Sequence, residues 1–310
     1  MMPTFINIIK HDGIRLLAGI AALLLLLAPQ PAAAQEVTGA DGETADVGDI
    51  SRVISVGSAV TETIFAVGAE ETLVAVDESS TYPEAADELP KVSFTRNLSA
   101  EGLLSFSPSL ILASGAAGPE TAIRQIRSTG TSMLLLPYQE NVEAALERIK
   151  IIGDVFEREQ AAQELISELR AQLDEAARLR ASRADEAPRV LFIYARGPNS
   201  LSVAGNATSA KTMIELAGGE NAFDSFEGYK PLTAEAVVEA DPDVILMMDS
   251  GLESVGGAGG VLEAPGISLT AAAENGRIHS MEGTYLLGFG PRLGDAVMDL
   301  MQLLYPDLEL

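Results

Sequence analysis

The sequence predicts an α/β protein with two similar lobes that are joined by a long bridging helix. Two observations support this fold class. Short β-branched segments alternate with helical segments before and after residues 139–184, a pattern typical of parallel sheets. In addition, residues 98–112 (LSAEGLLSFSPSLIL) and 232–246 (LTAEAVVEADPDVIL) repeat each other at an offset of 134. A repeated helix–strand unit indicates two lobes of the same construction.

The first 34 residues predict an export signal that is cleaved after Ala34. Lys10 and Arg15 precede the apolar stretch 16–28, and the alanines at 32–34 supply the small residues that a cleavage site requires. The alternative, a membrane anchor, is disfavoured because about 13 apolar residues are fewer than the roughly 20 that span a bilayer. We therefore expect a periplasmic protein. The chain has no cysteine, so we expect no lipid anchor on an N-terminal Cys.

The composition excludes several classes of function. The chain has 20 Lys and Arg against 45 Asp and Glu, a formal net charge of −25, which argues against nucleic acid as a partner because phosphates require a basic surface. The absence of Cys excludes disulfides, Cys-ligated zinc, iron–sulfur clusters and thiol catalysis. His279 is the one histidine beyond the signal and lies in a predicted strand, which makes it a poor ligand or catalyst. We therefore expect that the protein is not an enzyme.

The elements that follow the signal form a leader, two lobes and a connection. Residues 35–50 are polar and rich in Gly and Asp, and they predict a flexible leader. Residues 51–138 predict an N-terminal α/β lobe, and residues 185–310 predict a C-terminal α/β lobe. The predicted strands cover 52–56, 73–76, 110–113 and 132–136 in the first lobe, and 189–194, 244–247 and 277–279 in the second.

Residues 139–184 predict the bridging helix, either as one helix or as two that are nearly continuous. The segment is rich in Ala, Leu, Glu and Arg, lacks Pro, and places apolar residues three and four positions apart. Two facing lobes create a cleft at the carboxyl ends of their strands. Because a helix of several turns hinges less freely than a pair of strands, we expect little closure of this cleft and a rigid ligand.

Longer segments point to a known family. They include VISVGSAVTETIFAVGAEETLVAV in the first lobe, YARGPNSLSVAGNATSAKTMIELAGGENAF in the second, and YLLGFGPRL near the end. These segments resemble the haemin-binding periplasmic proteins of ABC importers, within the class III group that also includes cobalamin and siderophore binders. The resemblance covers nearly all of residues 52–310. It implies two Rossmann-like lobes, a monomer, haem as the transported ligand rather than a catalytic cofactor, and an ABC permease dimer with its ATPase as partner.

The resemblance also assigns a docking role to Glu101 and Glu235, which match the glutamates that meet arginines on the two permease subunits. Both lie in the internal repeat, where Ser99 and Thr233 are candidate helix N-caps. A carboxylate in the first helical turn also stabilises the helix, by roughly 0.3–1 kcal/mol, and the two roles are compatible. A duplicated protein thus offers one carboxylate per lobe to a two-fold transporter.

The ligand motif of the family is altered in this chain. The family has Gly-Tyr-x-Arg before Leu-Ser-Ala-Glu-Gly, with the Tyr on iron, whereas residues 93–96 of this chain read SFTR. Phe94 has no atom that coordinates a metal, but Arg96 can pair with a haem propionate. Lys230 is a second propionate candidate, and Arg292 is a further candidate for the cleft.

Three explanations of Phe94 remain open. In the first, another phenol ligates the iron: Tyr82 is the nearest along the sequence, and Tyr229 or Tyr138 are alternatives elsewhere around the cleft. In the second, haem stacks on Phe94 and is held by salt bridges without a strong ligand. In the third, the cargo differs, and the protein carries an iron-siderophore or cobalamin.

Overall fold

The computed structural model describes residues 35–183 and 187–308. The predicted export signal at residues 1–34 therefore lies outside the described residues. None of the helices within the described ranges combines the length and the apolarity needed to cross a membrane.

The segment predicted as a flexible leader is instead a β-hairpin, so that prediction is wrong. Strand β1 (Glu36–Thr38) pairs antiparallel with β2 (Thr44–Asp46). The hairpin is attached to the first lobe, because the Ala40 amide donates to the Leu135 carbonyl at 2.7 Å and Val47 is 1% exposed. Apolar residues at alternating positions give this short segment a buried side despite its polar composition.

The N-terminal lobe is a five-stranded parallel sheet in the order β5-β4-β3-β6-β7. Its elements are β3 (Val53–Val56), α1 (Ser58–Ala66), β4 (Leu73–Asp77), α2 (Glu84–Asp87), β5 (Lys91–Val92), α3 (Ala100–Leu104), β6 (Leu110–Ser114), α4 (Glu120–Ser128) and β7 (Ser132–Leu136). The central strand β3 is buried on both faces, as expected of a parallel sheet that helices cover on each side.

The bridging segment is two helices, α5 (Val142–Val155) and α6 (Glu159–Ser182). They are separated at Glu157, which adopts a left-handed conformation with φ of 53°. Helix α5 packs on α1 and belongs to the first lobe, so α6 alone makes the crossing. Its 24 residues span about 36 Å at 1.5 Å per residue.

The C-terminal lobe has a six-stranded mixed sheet with the main order β11-β9-β8-β12-β13, in which β10 also pairs with β8. Its elements are β8 (Arg189–Ala195), β9 (Leu201–Ala204), α7 (Ser209–Leu216), β10 (Glu220–Asn221), β11 (Tyr229–Pro231), α8 (Ala234–Ala240), β12 (Val244–Met248), α9 (Asp249–Ser254), α10 (Gly257–Leu262), α11 (Ala271–Glu274), β13 (Ile278–Met281), α12 (Gly283–Leu287) and α13 (Leu293–Leu304). Strand β9 is antiparallel to both β8 and β11, a reversal that the sequence patterns did not predict.

The internal repeat occupies the same place in both lobes. Residues 98–112 form α3 and the start of β6, which pairs with the central strand β3. Residues 232–246 form α8 and the start of β12, which pairs with the central strand β8. The α/β fold class with two related lobes is confirmed.

One apolar core continues through both lobes. Val53 of β3, Ile152 of α5, Leu169 of α6, Phe192 of β8 and Leu300 of α13 belong to the same buried cluster. Two smaller clusters cover the opposite faces of the two sheets. Because the lobes share a packed interior, separating them exposes apolar surface, which opposes a large hinge motion.

Candidate ligand-binding cleft

The cleft lies between the lobes, where loops follow the carboxyl ends of strands from both sheets. It consists of two adjoining cavities of about 220 and 680 Å³. Ser58 and Ser79 of the first lobe and Leu287 and Gly288 of the second line both cavities. Open α/β sheets bind ligands at this edge, and the structure has two cavities there.

A buried carboxylate organises the wall that the first lobe contributes. Asp77 is fully buried at the end of β4 and accepts four hydrogen bonds. Its donors are the Gly57 amide at 2.9 Å and the hydroxyls of Ser79, Ser80 and Thr95 at 2.7, 2.6 and 2.8 Å. These bonds join three separate loops, so the segment that carries Phe94 and Arg96 is fixed against the sheet.

Aromatic and cationic side chains of the first lobe face the two cavities. Phe94 is 61% exposed and lines the larger cavity. Arg96 and Tyr138 line the smaller one, and Tyr138 is 47% exposed. Contiguous exposed apolar surface often marks a ligand-binding groove. The wall therefore offers flat apolar surface beside a positive charge.

The second lobe contributes a phenol that the sequence analysis missed. Tyr194, near the end of β8, lines the larger cavity. Its Oη accepts a hydrogen bond from Arg196 Nε at 2.9 Å, and the guanidinium carbon lies 5.3 Å from the ring centroid. The ring of Tyr229 is 5.8 Å from that of Tyr194, and burial raises the pKa of Tyr229. The signal was available in the sequence, because residues 194–196 read Tyr-x-Arg.

The two cavities differ in charge. Arg148 also lines the smaller cavity, and its burial lowers the pKa of the guanidinium to about 10, so it remains positive at neutral pH. The larger cavity is lined by three carboxylates of the second lobe, Asp249, Glu253 and Glu282. The cleft therefore has a basic end and an acidic end.

Tyr82 and Arg292 do not line these cavities, which corrects the prediction that they belong to the cleft. Both line a neighbouring groove of about 320 Å³ beside α6. The Arg292 guanidinium carbon lies 3.6 Å from the Tyr82 ring centroid, and its Nε and Nη2 bind the two carboxylate oxygens of Glu62 at 2.8 and 2.9 Å. Arg292 thus ties the two lobes together, and its cation covers the Tyr82 ring.

Lys230 does not line the cleft either. Its Nζ lies 4.5 Å from the Phe226 ring centroid, and both residues line another cavity of the second lobe. Alternate side chains of a strand point to opposite faces of the sheet, and in β11 it is Tyr229 that contacts the rings of Phe192 and Tyr194. The predicted propionate role for Lys230 therefore has no support in the geometry.

Glu101 and Glu235 occupy equivalent exposed positions in the two lobes. Each lies in the first turn of a capped helix: Ser99 Oγ accepts from an α3 amide at 3.1 Å, and Thr233 Oγ1 accepts from an α8 amide at 3.4 Å. Neither carboxylate has an ion-pair partner among residues 35–183 and 187–308. Both carboxylates are exposed to solvent.

Metal-binding clusters are absent from the part of the chain that the structure describes: no three His, Cys, Asp or Glu side chains come together to hold an ion. His279 lies in β13 and lines neither cavity of the cleft. Burial lowers its pKa, so the ring is neutral at pH 7.

Comparison with known proteins places this geometry in a family. The family model described as periplasmic binding protein matches residues 53–285. The chain belongs to this family. The match spans the bridging helices and most of both lobes.

Two solved structures and one curated protein are examples of proteins that are similar to this chain. The periplasmic heme-binding protein RhuT from Roseiflexus sp. RS-1 is 39% identical, with a TM-score of 0.79 over 83% of this chain and 98% of that chain. The periplasmic heme-binding protein BhuT, in complex with two hemes, is 41% identical, with a TM-score of 0.77 over 82% and 97%. The vitamin B12-binding protein of Vibrio vulnificus strain YJ016 is 26% identical over 247 residues, 78% of this chain and 86% of that protein. All three relatives are binding proteins, as the sequence predicts for this chain.

Proposed function

We propose that this periplasmic binding protein captures haem in the cleft between its lobes and delivers it, as cargo, to an ABC importer of the inner membrane. The observation that carries the proposal is the exposed aromatic surface of Phe94 and Tyr138 next to the cations of Arg96 and Arg148. A porphyrin has a flat apolar ring and two carboxylates, and it is complementary to this combination. This chain matches the two heme-binding relatives over 98% and 97% of their length, at 39% and 41% identity. An export signal cleaved after Ala34 would bring the protein to the periplasm.

Tyr194 is the proposed iron ligand. Phe94, at the position where the resemblance expects the ligand, has no donor atom, and Tyr82 lies in another groove. Tyr194 lines the larger cavity, and Arg196 donates to its oxygen. This hydrogen bond fixes the position of the phenol oxygen beside the cavity. Iron at this position also faces the acidic end of the cleft, where carboxylates favour a cation.

Titration of the purified protein with haemin tests the function. We expect saturable binding at micromolar concentration or below, with a shifted Soret band and the charge-transfer band of phenolate-ligated ferric haem. Cyanocobalamin and a ferric hydroxamate siderophore serve as competing cargoes. Binding of either one, with no haemin binding, would replace the haem proposal by the alternative that the vitamin B12-binding relative represents.

We further propose that Glu101 and Glu235 dock the loaded protein onto the two subunits of a permease dimer. Three observations support this docking role. The two glutamates lie at equivalent positions on α3 and α8, both are exposed, and neither has an ion-pair partner among the described residues. Two lobes that repeat the same unit present their carboxylates to a two-fold partner in the same way.

The double variant Glu101→Ala/Glu235→Ala is expected to bind haemin normally but to lose at least about 90% of haem uptake. Truncating one partner of a buried, hydrogen-bonded charge pair at an interface costs about 2–5 kcal/mol. Growth on haem as the iron source measures uptake in a strain that depends on this protein. The matched control is Glu143→Ala/Glu274→Ala, which removes one exposed carboxylate per lobe from the first turns of α5 and α11. Equal growth of both variants would refute the docking role.

A further inference from the structure

Arg148 is a buried cation, and one of its N–H donors has no acceptor among the described residues. It lies on α5 and is 4% exposed. Its Nη1 donates to the Pro137 carbonyl at 2.8 Å, and its Nη2 donates to the Phe289 carbonyl of the second lobe. Its Nε is buried and has no acceptor among the described residues. Native proteins rarely leave a buried donor of a charged group without an acceptor.

Glu62 does not neutralise Arg148. Glu62 is the acidic group that most affects it, but both Glu62 oxygens are bound by Arg292. These three side chains therefore carry a net charge of one positive unit at the junction of the lobes. Glu140 also lines the smaller cavity, but it is exposed, so water screens its charge. A buried cation without a counter-ion is costly, and an anionic ligand would remove that cost.

The start of α1 faces the same cavity. Ser58 and Ala59 are the first two residues of this nine-residue helix, and both line the smaller cavity together with Arg148. The first amides of a helix have no intrahelical acceptor, and the helix dipole favours a negative charge there. Arg96 lines the cavity as well. Three sources of positive potential therefore converge on a space of about 220 Å³.

From this convergence, and resting on the haem function proposed above, we infer that Arg148, the start of α1 and Arg96 form a carboxylate subsite that receives a propionate of the bound porphyrin. The space suits a propionate arm rather than the ring. The acidic lining of the larger cavity repels carboxylates, so the charge difference between the two ends orients the porphyrin with its propionates toward Arg148. Arg148 is then the residue that selects porphyrins with free carboxylates.

Comparison of ferric protoporphyrin IX with its dimethyl ester tests the subsite, because the two differ only in their carboxylates. We expect the wild type to bind the free acid at least about tenfold more tightly, which corresponds to about 1.4 kcal/mol. Arg148→Met is expected to bind both forms with nearly equal affinity. The methionine fills the same volume without a charge, so we expect it to fold, since an apolar replacement of a buried ionic group is often tolerated.

Arg277→Met is the matched control, because Arg277 also donates to backbone carbonyls, those of Leu303 and Leu304, but lines neither cleft cavity. It is expected to keep the preference for the free acid. An unchanged preference in folded Arg148→Met, or no preference in the wild type, would overturn the subsite. Wild type that binds neither porphyrin would instead refute the haem function itself.

A second measurement on the wild type covers the case in which Arg148→Met does not fold. With ¹⁵N-arginine labelling, we expect the buried Nε–H signal of Arg148 to shift on saturation with diamagnetic gallium protoporphyrin IX. The dimethyl ester of the same porphyrin is expected to leave this signal nearly unshifted. Arg148→Lys identifies the signal by its disappearance. Equal shifts with the acid and the ester would overturn the inference.

Discussion

Replacing Tyr194 with phenylalanine is expected to lower haemin affinity about 100-fold, or about 2.7 kcal/mol, and to abolish the phenolate charge-transfer band. The substitution removes only the oxygen that accepts from Arg196 Nε at 2.9 Å. The ring keeps its packing, including the contact with Tyr229 at 5.8 Å between centroids. Loss of affinity and of the spectral band together therefore reports on the iron bond rather than on the shape of the cleft. Absorption spectra and haemin titration measure both effects.

Tyr229→Phe and Tyr138→Phe are the controls for this prediction, since each removes a phenol next to the cleft. Both are expected to change haemin affinity less than about threefold and to keep the charge-transfer band. Burial raises the pKa of Tyr229, which disfavours its phenolate at neutral pH. Should the band vanish in Tyr138→Phe and persist in Tyr194→Phe, the ligand comes from the first lobe and the assignment to Tyr194 is wrong.

The overall fold was predictable because its signals are local or repeated. Strand–helix alternation identifies parallel sheets, and the repeat at 98–112 and 232–246 identifies the two lobes. Strands β9, β10 and β11 were missed because they are short and contribute little hydrophobic pattern of their own. The hairpin of β1 and β2 was missed because tertiary contacts with the first lobe stabilise it rather than its own composition.

The candidate site was predictable in position but only partly in its residues. Phe94 and Arg96 follow the end of β5 and do line the cleft. Tyr82 is near Phe94 along the sequence, but the direction of a loop is not encoded in sequence separation, and the cation of Arg292 covers its ring. Lys230 adjoins Tyr229, yet the alternation of β11 sends neighbouring side chains to opposite faces. Arg148 gave no sequence signal, because an arginine in a helical segment is usually on the surface.

Removing Arg292 is expected to lower the stability of the fold. Arg292→Ala leaves Glu62, whose side chain is 4% exposed, without its bidentate partner. Breaking a buried ion pair by removing one member costs about 3–5 kcal/mol. The loss is expected in the free energy of unfolding measured by urea denaturation at pH 7.5. Weaker haemin binding at an unchanged free energy of unfolding would contradict this prediction and would indicate that Arg292 acts in ligand binding.

The stability deficit of Arg292→Ala is expected to shrink as the pH falls. Burial already raises the pKa of Glu62 above its usual 4.5, while Arg292 acts to lower it, so loss of the arginine raises this pKa further. A carboxyl whose pKa is higher in the folded than in the unfolded state favours folding below the unfolded pKa, and this stabilisation is lost as the pH rises through the folded pKa. The deficit is therefore largest at neutral pH, and it decreases towards pH 5 as Glu62 takes up a proton.

Arg124→Ala is the matched control for both measurements. Arg124 pairs with Glu120 on the surface of α4, with side chains 62% and 80% exposed, and such pairs contribute less than about 1 kcal/mol. Its removal is expected to leave the free energy of unfolding nearly unchanged at both pH values. A deficit in Arg292→Ala that stays constant from pH 7.5 to pH 5 would mean that Glu62 keeps its charge without Arg292. The stabilising effect of Arg292 would then come from its stacking on Tyr82 and Tyr285 rather than from neutralising a buried carboxylate.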